Sequence, residues 1–151
     1  MSYEEQGDHH KHFIGDIPQK AIIIHEGRVL IVQDDKGMWQ LPGGRLHEGE
    51  TPIEGLQREI REELSVEVKV VSIFDTFVFV SVSGARHFLV IYSCELLGDI
   101  KDIQKQEDEI KGLRWIYADE IESFTMWTEY KEVIRKYFEK SKLIAENAPR
   151  W

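Results

Sequence analysis

Along the chain, apolar character first gathers at Ala21-Ile22-Ile23-Ile24, breaks at Glu26-Gly27, and resumes at Val29-Leu30-Ile31-Val32. Two β-branched runs about a glycine-containing turn predict a hairpin. Asp34-Asp35-Lys36-Gly37 reads as a turn, and Trp39-Gln40-Leu41 as a brief strand delivered to Pro42-Gly43-Gly44. Paired glycines allow positive φ and a close approach of backbone to a ligand. Further strands are predicted over residues 66–71 and 74–82. Ser83-Gly84-Ala85 then turns the chain into a strand from His87 to Leu96. After a polar loop from Leu97 to Gln106, a short strand is predicted from Gly112 to Ile116, and a helical turn at Ala118-Asp119-Glu120-Ile121.

Between these strands the spacing changes to that of a helix. Ile53, Leu56, Ile60 and Leu64 fall on one narrow stripe, which predicts a helix over residues 52–64 with that stripe facing the core. Thr51 is placed as its N-cap, with Pro52 just inside and Glu54 as capping-box partner. In the last long segment Trp127, Tyr130, Val133, Ile134, Tyr137 and Phe138 recur at helical spacing and read as core packing. Mixed strands with one helix early and one late imply an α/β fold: an α/β/α sandwich with a mixed sheet between helices.

The 151 residues are read as one domain, residues 1–15 being a loose polar arm. His9, His10 and His12 in that arm read as a solvated tail, since nothing nearby fixes their geometry. With 42% hydrophobic and 31% charged residues, the composition is that of a soluble globular chain. No segment has the apolar length of a membrane span, so neither a membrane nor secretion is expected, and the location expected by default is cytoplasmic. A formal net charge of −9 repels nucleic acid and other polyanions, so a phosphate ligand would need divalent cations to screen its approach. The one cysteine, Cys94, lies in an apolar run and reads as a buried, inert thiol.

Charge changes the picture most on the early helix. Glu59, Glu62 and Glu63 stand at i, i+3 and i+4, so their carboxylates share a side distinct from the apolar stripe. Like charges at that spacing destabilise a helix by a few tenths of a kcal/mol per pair, roughly. Arg58 and Arg61 offset part of this, and Arg58 stands where it could orient a carboxylate. Hard cations such as Mg²⁺ or Mn²⁺ take such oxygens as ligands. On helix spacing alone, a solvated acidic face is the usual reading of such a charge run.

The stretch that begins at Gly44 and ends at Val66 resembles the Nudix box, whose pattern is a glycine, five residues, a glutamate, seven residues and REUXEEXGU, U being aliphatic. Gly44, Glu50, Arg58, Glu59, Ile60, Glu62, Glu63 and Val66 match in register, while Ser65 stands in place of the last glycine. That glycine would end the helix in a left-handed conformation, which serine adopts at a cost of about 1 kcal/mol. Trp39 to Gly44 and the strand around Trp115 also resemble the family's surroundings.

The resemblance implies the Nudix hydrolase fold over most of the chain and metal-dependent hydrolysis of a nucleoside diphosphate linked to another group. By position, Glu59, Glu62 and Glu63 would hold Mg²⁺ or Mn²⁺, with the Gly43 carbonyl and Glu109 as further ligands. Arg58 would orient the cluster, and Glu50 would anchor the loop or reach metal through water. The general base comes either from the box or from a distal loop, where Glu109 is the first candidate and Glu107 the next; Gln106 to Glu109 can also be read as a solvated loop. Trp39, Arg45, Phe77 and Phe79 are candidates for a base or phosphate pocket, core packing being the ordinary reading of each aromatic taken singly. Neither the proline nor the tyrosine of the ADP-ribose and dinucleoside polyphosphate subfamilies occurs around residues 80–83. By exclusion a nucleoside triphosphate, canonical or oxidised, is favoured, with ADP-ribose, a nucleotide sugar or a dinucleoside polyphosphate as alternatives. A non-catalytic nucleotide-binding regulator and an isopentenyl diphosphate isomerase-like enzyme are the readings from other classes, and Cys94 lacks the motif the latter requires. The partner expected is a small nucleotide, with a homodimer as the assembly allowed for.

Overall fold

The computed structural model describes residues 12–147. Most of the arm expected over residues 1–15, including His9 and His10, lies outside them.

The apolar runs form strands buried on both faces. The first is β1 (Pro18–His25), which turns back into β2 (Arg28–Gln33) with Ile24 opposite Val29. Glu26 and Gly27 both take positive φ in the turn. Two short strands follow, β3 (Trp39–Gln40) and β4 (Gly43–Arg45), before the helix α1 (Pro52–Leu64). Beyond it come β5 (Glu67–Val80), β6 (Arg86–Leu97), β7 (Gly112–Ile116) and the helix α2 (Thr128–Glu146), the last preceded by a 3-10 turn over Ala118–Ser123. The sheet runs β3-β2-β1-β6-β5, with β4 also paired to β1 and β7 to β2. It is mixed, because β1 and β6 run parallel while β1–β2 and β5–β6 are antiparallel.

Strand alternation splits the apolar residues between two layers. Ala21, Ile23, Leu30, Val32, Val90 and Tyr92 face α1 and pack with Leu56, Ile60 and Leu64. Their neighbours Ile22, Val29, Ile31, Leu89 and Ile91 face α2 and pack with Tyr130, Val133 and Ile134. The α/β/α sandwich expected from the pattern is therefore the observed fold. Among the described residues no helix is long and apolar enough to cross a membrane.

Three local expectations are corrected. The strands predicted over residues 66–71 and 74–82 are the single strand β5, with irregularities between Val70 and Ser72 and between Ile73 and Asp75. Bulges disturb the alternation there without ending the pairing. Ile53 is 48% exposed rather than part of the core stripe. Leu46 and Glu50 pack onto Gly55 in the first turn of α1, so the inward contact is made at Gly55 and Ile53 is left to solvent. Trp127 precedes α2 as its N-cap and is 42% exposed, lying against Phe79 instead of joining the helical stripe.

Candidate active site

The acidic helix is anchored at both ends. At its start Thr51 and Glu54 form the predicted capping box. Buried Gln19 of β1 donates to the Pro52 carbonyl at 2.7 Å and accepts from the Tyr92 hydroxyl at 2.7 Å. At its end Ser65 takes φ 58 and ψ 30, the left-handed conformation that glycine gives in the family pattern, and its N–H reaches the Arg61 carbonyl. The terminal carbonyls of α1 are then satisfied by the loop before β7: the Gln104 N–H donates to Leu64 at 2.9 Å and the Gln106 N–H to Glu63 at 2.8 Å. Through these bonds Glu109, itself exposed, comes near enough for its charge to act on Glu63. Glu107 points elsewhere, paired with Lys105 at 2.9 Å.

Arg58 is the hub of the acidic face. Its guanidinium donates to both oxygens of Glu50, to Glu59 at 3.0 Å, to Glu62 at 3.1 Å and to the Arg45 carbonyl at 3.3 Å. The bidentate pair holds the Glu50 carboxyl down at about 2, and the same contacts push the guanidinium further up. Glu50 also accepts the His47 N–H at 2.6 Å, so the loop between β4 and α1 is tied to the helix.

Glu63 has a different environment. It is buried, accepts the Gly43 N–H at 3.1 Å and faces Lys20. Desolvation pushes its carboxyl up to about 7, against the pull of Lys20 and the Gly43 N–H. Burial likewise lowers the Lys20 ammonium, whose Nζ donates to the Gly43 carbonyl and to Gln40 Oε1, each at 3.0 Å. A lone lysine in an apolar strand was a sequence signal, but its partners arrive from β3, β4 and α1.

The two glycines of the turn serve different needs. A Cβ on Gly43 would lie 2.0 Å from the Gln19 carbonyl oxygen, and the residue takes φ +135. A Cβ on Gly44 would instead lie 2.4 Å from the Glu59 carboxyl carbon. Gly43 thus seats β4 on β1, and Gly44 leaves room for a carboxylate.

Beside this face lies a pocket of about 420 Å³, within the ordinary range for a small-molecule site. Gly44, Arg45 and Lys20 form its box side, and Phe79, His87, Trp127 and Tyr130 its aromatic side. A hollow of about 600 Å³ along Gly44 to Glu48 and Glu59 shares Asp16, Gly44 and Arg45 with it, giving a continuous groove. Of the four residues expected to line a pocket, Phe79 and Arg45 do so, and Trp39 lines a smaller hollow of about 100 Å³ with Gln40, Trp127 and Tyr130. Phe77 packs in the core under α2, edge-on to Tyr130, and forms no part of the wall. A cleft of about 820 Å³ near Ile24, Cys94 and Tyr137 touches none of the acidic residues of α1. Cys94 there is 6% exposed, and burial pushes its thiol up to about 12, the condition of an inert cysteine.

Among the described residues no three His, Cys, Asp or Glu side chains are gathered closely enough to hold a metal ion. Arg58 lies between Glu59 and Glu62, and Lys20 faces Glu63. The donor chemistry nonetheless suits a hard divalent cation: the candidate ligands are all oxygens, and Glu63 is a buried carboxyl whose partners fall short of its desolvation.

Comparison with known proteins agrees with this architecture. The model of the NUDIX domain family matches residues 19–137. The chain is 29% identical over 105 residues to Nudix hydrolase 5 of Arabidopsis thaliana, a match that covers 66% of this chain and 35% of the relative. It is 35% identical over 92 residues to the 8-oxo-dGDP phosphatase of Danio rerio, covering 58% of this chain and 27% of that protein. The chain thus spans well under half the length of these curated relatives. A NUDIX hydrolase structure from Nitrosomonas europaea superposes with a TM-score of 0.74 at 19% identity, covering 84% of this chain and 90% of that one.

Proposed function

The chain belongs to the Nudix family, and from that premise we propose that it hydrolyses a phosphoanhydride bond in a nucleoside diphosphate derivative, with a nucleoside triphosphate, canonical or oxidised, as the favoured substrate. One observation carries the reading: Glu59, on the acidic face of α1, lines a groove that continues past Gly44 and Arg45 to an aromatic end. The relative named as an 8-oxo-dGDP phosphatase supports an oxidised nucleotide among the candidate substrates.

In this reading Glu59, Glu62 and Glu63 hold Mg²⁺ or Mn²⁺, with the Gly43 carbonyl and Glu109 as further ligands. Such a cation, when bound, supplies Lewis-acid stabilisation of charge on phosphate oxygens. Arg58 keeps the carboxylates oriented and fastens the loop through Glu50. Lys20 and Arg45 line the groove with positive charge where phosphates would pass. Phe79 and Trp127, 4.2 Å apart, offer aromatic surface for a base. Glu109, or a carboxylate of the box, takes the proton from the attacking water.

The test is incubation with Mg²⁺ or Mn²⁺ and a panel of nucleoside triphosphates, oxidised nucleotides, ADP-ribose and dinucleoside polyphosphates, with products resolved by chromatography. Cleavage of a triphosphate between phosphates, reduced in Glu62→Gln, is the expected result. No cleavage of any compound, with nucleotide binding intact, would instead make the chain a nucleotide-binding module.

A further inference from the structure

The wall of the 420 Å³ pocket contains an aspartate-bonded imidazole that the hydrolytic reading does not use. His87 on β6 bonds through Nδ1 to Asp16 Oδ1, and its ring stacks on Phe79 at 5.6 Å with planes 21° apart. Phe79 in turn lies 4.2 Å from Trp127. Asp16 is held by its own backbone: its N–H donates to the Arg86 carbonyl at 3.2 Å, and its carbonyl accepts the Phe88 N–H at 2.9 Å. Gly15 before it lies so close to Arg86 that a Cβ would come within 2.3 Å of the carbonyl oxygen. The carboxylate is therefore built into the pocket rim rather than laid upon it.

A carboxylate can only accept, so the His87 nitrogen facing Asp16 must be the one that carries hydrogen. In the neutral ring this fixes the tautomer and leaves Nε2 as a lone-pair acceptor. The second oxygen of Asp16 lies 3.7 Å from Arg45 Nη1. An acceptor beside an aromatic ring stack can discriminate between flat heterocycles by what they carry at one edge. An amino group donates to it, whereas a carbonyl oxygen at the same place sets two acceptors against each other.

We infer that the Asp16–His87 pair is a specificity determinant that selects amino-bearing bases, adenine or cytosine, over their keto counterparts. The inference rests on the nucleotide reading of the groove, and it names the substrate class within that reading.

The experiment compares kcat/KM for CTP against UTP and for ATP against ITP, pairs that differ in an amino group or carbonyl at one ring position. Both members of each pair are assayed side by side in the same alkaline buffer. Wild-type protein is expected to favour the amino member of each pair by about tenfold. Asp16→Asn frees the tautomer, because an amide can donate to the ring as well as accept from it, and should bring the ratios near one. His87→Phe keeps the ring stack, removes both nitrogens and should do the same. Ratios near one in the wild type, or ratios that neither variant moves, overturn the inference while leaving hydrolysis intact. Metal-free calorimetry of CMP against UMP and AMP against IMP supplies a second readout. If nothing is hydrolysed but these binding ratios follow the two variants, the proposed hydrolysis fails and the Asp16–His87 assignment stands. If the monophosphates bind without preference or not at all, the assignment fails.

Discussion

Arg58 grips Glu50 with one edge of its guanidinium, Nε to Oε2 at 2.9 Å and Nη2 to Oε1 at 3.0 Å. The pair joins an arginine of α1 to a glutamate of the preceding loop, and the remaining Arg58 nitrogen goes to Glu59 and Glu62. One side chain thus fixes both the loop and two of the proposed ligands. Lysine cannot reproduce a bidentate grip. Arg58→Lys is expected to lower kcat by roughly 10–100-fold, the usual loss when a residue that orients ligands is changed. Amide hydrogen exchange over residues 45–50 should quicken in the same variant.

Gly43→Ala and Gly44→Ala should behave in opposite ways. At Gly43 the added methyl meets backbone, the Gln19 carbonyl oxygen at 2.0 Å, in a conformation with φ +135. That variant is expected to lose stability heavily and to express poorly. At Gly44 the methyl meets only the end of the Glu59 side chain, at 2.4 Å. This variant should keep its melting temperature within a few degrees yet lose most of its activity, because Glu59 must leave its place beside Arg58. Thermal denaturation and initial rates on the two proteins distinguish the outcomes.

Glu63 makes stability depend on pH in a defined direction. Its folded-state carboxyl is raised to about 7 from 4.5, so the folded protein retains a proton that the unfolded chain has already released. Between those values the folded state binds more protons, and stability from this group falls as pH rises. Below the window both states are protonated, and above it the loss is complete. In chelator, the urea midpoint of the wild type should therefore decline from pH 4.5 to 7 more steeply than that of Glu63→Gln. Equal slopes would show that Glu63 does not titrate in that range.

Ser65→Gly restores the residue of the family pattern at a left-handed position, φ 58. Relief of the side-chain penalty should stabilise the protein by about 0.5–1 kcal/mol, less the extra freedom glycine gives the unfolded chain. Activity should not change, because the Ser65 backbone bonds only to the Arg61 carbonyl. A rise of a few degrees in melting temperature with an unaltered kcat is the expected result.

The elements most legible in the sequence were those with local causes. The capping box at Thr51 and Glu54 and the stripe Leu56, Ile60, Leu64 place α1 at Pro52–Leu64, and the break at Glu26-Gly27 places the hairpin. Carboxylate positions were equally readable, since they follow from helical spacing. What stayed hidden depends on residues far apart in the chain. His87 meets Asp16 across 71 positions, Lys20 meets Gly43 across 23, and no periodicity records either meeting. Phe77 and Phe79 look alike in sequence, yet Phe77 meets Tyr130 in the core while Phe79 reaches His87 and Trp127 at the pocket. Bulges in β5 were misread as a break because they alter alternation while leaving the ladder joined.

The segment shared with the family begins at residue 19, and Asp16 precedes it. A trimmed chain starting at Gln19 would keep every glutamate of the acidic helix and lose one wall of the ring pocket. The peptide before residue 19 is tied in two directions at once: Asp16 bonds to the backbone of Arg86 and Phe88, while the Ile17 carbonyl accepts the Leu46 N–H, so exchanging it would alter the ring pocket and the start of the box loop together.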